Sequence, residues 1–185
     1  MPRTGSRPTN RRRLPSRARR VRPRKPRAHA QSELFGAAEV RIDRAHYDEA
    51  RTIAPLFDAY RQFYRQPSAL KKAQNFLATR LRTRESVIFV ARTSNRPVGF
   101  MQLYPSFSSI TLEPTWILND LFVVPMARRK GVGRLLLKRA QKLALDTGAT
   151  AILLETASNN PAQTLYESLG WKLDREFMHY QWSRQ

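Results

Sequence analysis

The chain has 185 residues, 34 Lys and Arg against 14 Asp and Glu, and a formal charge of +20, with 41% hydrophobic and 10% aromatic residues. That apolar content excludes wholesale disorder, and the length suits one domain of ordinary size with a tail. No apolar run approaches the ~18 residues a membrane span requires. With no cysteine, disulfides, thiolate metal sites and cysteine nucleophiles are excluded, and three scattered histidines (His29, His46, His179) argue against a metal site or a Ser-His hydrolase.

Charge is concentrated at the N-terminus. Residues 1–30 hold 12 of the basic residues, no acid and five of the 12 prolines, which leaves 22 basic and 14 acidic residues from Gln31 onward. Proline blocks helix and like charges repel, so 1–30 reads as a disordered Arg/Pro-rich tail. Three roles for it stay open: a solvated arm that contacts nucleic acid through counterion release, an over-extended start, or a targeting peptide.

A folded domain is expected over 37–183. Ala38 to Ile42 alternates as a half-buried strand. Tyr47, Ala50, Ile53, Ala54, Phe57, Tyr60 and Tyr64 recur at helical steps over 46–65, where Pro55 should bend or divide the helix. Phe57, Tyr60, Phe63 and Tyr64 read as core or as walls of a substrate cleft, an ambiguity shared by Tyr104 and Phe107. Pro67-Ser68-Ala69 should start a second helix, with Ala73, Phe76, Leu77 and Leu81 on one face. Ser86 to Arg92 and Pro97 to Tyr104 read as a hairpin about a turn at 94–96. The Ser/Thr-rich stretch 106–114 reads as a loop. Trp116 to Val124 is an apolar strand interrupted only by Asn119-Asp120 and ended by Pro125. A long helix carrying Val132, Leu135, Leu136, Leu143 and Ala144 should close near Gly148, followed by a strand at 151–155. A short helix from Pro161 to Leu169 should end at Gly170. Strands at 171–173 and 177–182 should complete a mixed α/β sheet without internal repeat.

The chemistry concentrates where strand 116–124 meets the long helix, at Arg128-Arg129-Lys130-Gly131-Val132-Gly133-Arg134. Glycines permit close approach to backbone, a helix start offers free N–H groups, and the flanking cations favour phosphate. No Lys-Ser/Thr follows and the six-residue dinucleotide fingerprint is incomplete, so neither a nucleoside-triphosphate loop nor a Rossmann site is indicated. Alone, the pattern also fits a basic Gly-containing turn.

Together with Asn119-Asp120-Leu121-Phe122-Val123 before it and Asn159…Tyr166-Glu167-Ser168-Leu169-Gly170-Trp171 after it, this segment resembles the GNAT (GCN5-related N-acetyltransferase) superfamily. The likeness spans roughly 38–182 and is closest in appearance to the amine and histone-type enzymes. It implies the acyl-CoA N-acyltransferase fold: a mixed, mostly antiparallel central sheet with a splayed strand pair, flanked by helices. It implies acetyl-CoA as co-substrate, without metal, and a primary-amine acceptor, either a small molecule or a protein lysine or N-terminus. Leu121, Phe122 and Val123 would offer backbone to the pantetheine arm. Arg128, Arg129, Lys130, Gly131, Val132, Gly133 and Arg134 would cradle the pyrophosphate, and Asn159 would bond the cofactor near its thiol. Tyr166 stands where the family commonly has a tyrosine that protonates the departing thiolate. The backbone N–H of Phe122 or Val123 would stabilise the carbonyl oxygen.

An amine nucleophile with a pKa near ~10.4 must lose a proton. Asp120 and Glu155, polar residues in two apolar strands that should be neighbours, are the candidates for the carboxylate that accepts it; each also reads as a strand-end or ion-pair group. Diamine acetyltransferases tend to have two acids at 119–120, and Asn119 here argues against a polyamine. A non-catalytic module of the same fold, binding nucleic acid or a protein partner through the tail, is the alternative. The expected setting is cytoplasmic and away from membranes, with a homodimer left open.

Overall fold

The computed structural model describes residues 39–184. The tail at 1–30 lies outside the described residues. Five strands form one sheet in the order β1 (Val40–Arg44), β2 (Val87–Thr93), β3 (Arg96–Ser108), β4 (Glu113–Val123) and β5 (Ala151–Leu154). Neighbours run antiparallel except β4 and β5, which are parallel. Helices α1 (Ala50–Phe63) and α2 (Leu70–Arg82) cover one face. There Ile53, Ala54, Phe57 and Leu77 pack on Ile88, Val90, Phe100 and Phe122. Helix α3 (Val132–Thr147) covers the other, where Leu136, Leu137 and Ala140 meet Phe89, Met101, Leu103 and Leu118. Short α4 (Gln163–Glu167) sits beside the start of α3. Burial of these two apolar stripes against one sheet is the main driving force of the fold.

Local chemistry explains several boundaries. Ser94 and Asn95 both have positive φ (47° and 64°), the conformation a two-residue hairpin needs to match strand twist. Gly148 ends α3 in the left-handed region at φ 67°. Helix α2 is capped from a distance: buried Asp58 of α1 accepts from the Ser68 hydroxyl at 2.6 Å and from the Ala69 N–H at 2.9 Å. The same carboxylate pairs with Arg61 at 3.0 Å. That one side chain joins the two helices that roof the sheet.

Three expectations need correcting. Pro55 does not divide its helix: α1 is continuous from Ala50, and a single 3₁₀ turn (Tyr47–Glu49) precedes it. Pro55 faces solvent, where the missing N–H costs least. Residues 106–114 are a loop only at the turn 109–112, since β3 and β4 continue to it with Ser106 opposite Thr115 and Ser108 opposite Glu113. Their Ser/Thr content reflects arms that project past the helices, where both faces tolerate polar groups. Lastly, 171–173 and 177–182 form no strand. Asp174 accepts from the N–H groups of Glu176 and Phe177 at 2.8 and 3.3 Å, a side-chain turn that competes with ladder bonds. The alternating apolar residues beyond it, such as Phe177 and Trp182, stay exposed.

Candidate active site

Strands β4 and β5 pair only from Thr115 to Leu118, against Ala151 to Leu154. Beyond that point they part, and from Asn119 to Val123 β4 keeps β3 as its one neighbour in the sheet. The splayed edge is therefore the backbone of residues 119–123, including Leu121, Phe122 and Val123.

At the splay β4 carries a bulge. Leu118 pairs with Leu103 and Asp120 with Gln102, so Asn119 has no partner of its own. One extra residue reverses the side-chain alternation. Leu118 packs on the α3 side, and Phe122 packs on the α1 side. Asp120, directly opposite Gln102 and two residues before Phe122, joins Phe122 on the α1 side, where it is only 5% exposed.

Its surroundings are aromatic. Tyr60 of α1 contacts Phe122 and Phe100 edge-on, with centroids at 6.0 and 5.7 Å, and Tyr64 at 5.1 Å. Burial pushes the Asp120 carboxyl above its ordinary range, while hydrogen bonds from Asn119 and Tyr60 pull it back. Burial and the nearby Asp120 charge likewise push the Tyr60 phenol up. Tyr104 is pushed up to about 12, by burial first and Asp120 second. Gln102 donates to Ser86 at 2.8 Å, and its buried Oε1 accepts no bond.

The loop after β4 turns sharply. Arg129 (φ 58°) and Gly131 (φ 81°) both have positive φ, the backbone of a tight turn into the long helix. Around Gly131 space is open, with nothing within 4 Å of where a Cβ would stand. Gly133 differs, because a Cβ there would lie 3.2 Å from Leu165 of α4. Its smallness serves helix packing. Val132 is core, at 2% exposure. Arg134 donates to the Ser168 hydroxyl at 2.8 Å, bracing α3 to the end of α4. Arg128 turns back, donating to the Val123 carbonyl at 2.9 Å and lying over the rings of Phe63 and Phe122 at 5.5 and 5.7 Å. Lys130 lies between the two left-handed residues.

Tyr166 of α4 is half-buried, its ring 6.1 Å from Trp171. Burial pushes its phenol up, a hydrogen bond with Thr156 opposes this, and Tyr64 acts on it electrostatically. Asn159 is exposed, while Asn160 shapes the loop by donating to Thr156 at 2.7 Å and accepting from the Ala162 N–H at 3.0 Å. Glu155 does not share the Asp120 pocket: its side chain is 76% exposed and pairs with His179 at 2.9 Å.

The structure thus gathers Asp120, the 121–123 backbone and the 128–134 loop around one splay, with Tyr60 and Tyr64 stacked edge-on beside Asp120. Sequence reasoning left Tyr60 ambiguous and passed over Gln102. The signals were a lone polar residue within Phe100-Met101-Gln102-Leu103 and a tyrosine three residues after Phe57. Among the described residues no cluster of three potential metal ligands occurs, and no helix is long and apolar enough to cross a membrane.

Comparison with known proteins agrees with this geometry. The model of the Acetyltransferase (GNAT) family matches residues 53–171. The "Uncharacterized N-acetyltransferase YhfO" of Bacillus subtilis (strain 168) is 48% identical over 140 residues, 75% of this chain and 94% of that protein. A "Probable acetyltransferase" of Haemophilus influenzae is 32% identical, covering 73% of this chain and 92% of its own length. A solved structure described as that of a probable acetyltransferase superposes with a TM-score of 0.74 at 42% identity, over 78% of this chain and 98% of that one. With a splayed β4/β5 pair in the sheet and a family match over more than half its length, the chain belongs to the GNAT acetyltransferase family.

Proposed function

We propose that the chain transfers the acetyl group of acetyl-CoA directly to a primary amine, with Asp120 accepting the amine proton and Tyr166 protonating the CoA sulfur. The observation that carries this reading is the bulge at Asn119, which turns a carboxylate into an aromatic pocket beside the splayed edge.

The residues present fit the co-substrate. The free backbone edge at 119–123 suits an extended amide-bearing arm pairing as an added strand. The open space at Gly131 and the left-handed pair Arg129 and Gly131 suit a pyrophosphate, with Lys130 and Arg129 supplying charge. Acetyl-CoA supplies an acyl thioester, activated toward a neutral amine. Arg128 holds the Val123 carbonyl, which fixes the loop against the end of β4 and leaves the N–H groups of that edge for the ligand. Asn159, exposed in the loop before α4, is available to bond the arm.

Burial makes Asp120 a stronger base than a surface carboxylate. Asp120 takes one proton from the bound ammonium and frees its lone pair, and as the carbon–nitrogen bond forms the nitrogen's second proton passes to water. As the carbon–sulfur bond breaks, Tyr166 gives one to sulfur, and its raised pKa keeps the phenol protonated at neutral pH. The N–H of Val123 stabilises charge on the carbonyl oxygen, since Phe122 backbone groups face β3, in step with the Val124 N–H that donates to Val98. Glu155 is an ion-pair partner of His179 in this reading. We assign the protein to the cytoplasm and the 1–30 tail to weak contact with nucleic acid.

The test is saturable acetyl-CoA binding by calorimetry, followed by thiol release on adding a primary amine. Binding without turnover on any amine would favour a non-catalytic module of this fold. Absence of binding would remove the enzyme reading.

A further inference from the structure

Building on the acetyl-transfer reading, we propose that the acceptor is a monoammonium compound with an aromatic body, its nitrogen at Asp120 and its body against Phe63 and Tyr64. A polyamine or a basic peptide tail does not suit this cleft.

The first ground is the supply of negative charge. Asp120 is the one acid of α1, β3 and β4 that faces the splay among the described residues. Asp58 is consumed in capping α2, held by Ser68, Ala69, Arg61 and Gln62. Glu113 stands at the far end of β4, Glu85 pairs with Arg80, and Glu155 turns outward to His179. Residue 119 is Asn. Glu167 of α4 is exposed, so one ammonium finds a buried counter-charge and a second finds none in the aromatic surface beside it.

The second ground is exposed aromatic surface continuous with that carboxylate. Phe57, Tyr60, Phe100 and Phe122 interlock on the α1 face of the sheet. Phe63 and Tyr64 belong to the same cluster, edge-on to each other at 5.3 Å, yet stay 61% and 53% exposed. Tyr64 reaches inward to Tyr60, with ring centroids 5.1 Å apart, and Phe63 packs against Phe122 at 6.4 Å, so the exposed pair adjoins the aromatic wall of the Asp120 pocket. A flat apolar body laid there covers surface that the fold leaves wet, while its ammonium meets Asp120 beside the Tyr60 ring.

The third ground is fixed positive charge at the mouth. The Arg128 guanidinium sits over Phe63 and Phe122, braced by the Val123 carbonyl. It repels any second cation on the acceptor at short range.

The experiment uses the full chain with saturating acetyl-CoA and compares kcat/KM for 2-phenylethylamine, n-butylamine, putrescine, spermidine and a lysine-rich peptide. The expected result is a preference for 2-phenylethylamine over n-butylamine of about 10-fold or more, the scale of covering one ring's apolar surface. The diamine, polyamine and peptide should fall below both. Phe63→Ala and Tyr64→Ala, at exposed positions, should each shrink the phenylethyl-to-butyl ratio by at least about threefold through KM. Equal or better use of putrescine, spermidine or peptide overturns the proposal, as does a ratio near one, or turnover of none of the panel by protein that binds acetyl-CoA. Those results leave acetyl-CoA binding intact. Loss of acetyl-CoA binding itself overturns the transfer reading and this proposal with it.

Discussion

Leu118 and Asp120 are two residues apart in one strand and face opposite sides of the sheet. Regular alternation would send both to the α3 side, and the unpaired Asn119 between them reverses the sequence of faces. Both core layers keep their apolar residues on each side of the bulge, with Leu118 and Leu121 toward α3 and Phe122 toward α1. The ionisable group that this reversal places among the rings of the α1 side is Asp120.

Replacing that carboxylate tests its role. Asp120→Asn should lower kcat by about 10²–10⁴-fold, the usual contribution of a positioned base. In the wild type the rate should fall as pH drops through the Asp120 pKa, which burial holds above 3.8, and the variant should lose that acid limb. A folded-state pKa above the unfolded one means that ionised Asp120 opposes folding at neutral pH. The variant should therefore melt no lower than wild type. Retention of the acid limb would reassign the base.

Tyr166→Phe keeps the ring against Trp171 and removes only the hydroxyl. Turnover should fall by roughly 10- to 1000-fold, less than the full range for a general acid because water substitutes partly. Since burial raises the phenol above its ordinary 10.0, the wild-type rate should hold into strongly alkaline solution before declining. The variant should lack that alkaline limb. Activity within about twofold of wild type would end the assignment.

The two glycines of the loop should separate. Gly131→Asp puts a carboxylate into the open cradle and should raise the CoA dissociation constant at least about 10-fold, with a stability loss near 1 kcal/mol from positive φ. Gly133→Ala meets Leu165 at 3.2 Å and should loosen α4, lowering melting temperature more than CoA affinity. Calorimetric titration beside thermal melts checks both.

Asp58→Ala removes the cap of α2 and should cost about 1–3 kcal/mol in urea unfolding at pH 7. The Ser68 hydroxyl and Ala69 N–H hold the Asp58 carboxyl below its usual 3.8. Its contribution is therefore present above that value and lost as pH falls through the lower folded-state pKa. Wild type and variant should converge in stability at strongly acidic pH.

Removing residues 1–30 takes away 12 positive charges. Turnover on a small amine should stay near wild type, and retention on nucleic acid should fall and lose most of its salt dependence. A large drop in turnover would place the tail in the active site.

Much of this molecule is written in local pattern. The 3.6-residue stripe of Val132, Leu136 and Leu143, the positive-φ glycine that ends that helix, and the Ser94-Asn95 turn are decided by neighbours in the chain. So is the backbone turn of residues 128–134, with its positive φ at Arg129 and Gly131. Periodicity failed where pairing decides structure. Ser106–Ser108 and Glu113–Pro114 are strand because β3 and β4 extend together to the turn at 109–112, and Phe177 to Trp182 is not, because alternation without a partner edge has no ladder to join.

By itself the sequence determined the order of elements from the first strand to the short helix before Gly170, and it singled out the Gly-containing loop, Asp120 and Tyr166 as candidates. Only the tertiary structure decided that Asp120 joins Tyr60 and Phe122 while Glu155 turns to solvent, and that Gly133 answers to Leu165. The physical reason is register: which side of a sheet a side chain occupies depends on the partner strand, and one bulged residue in β4 moves a carboxylate across it.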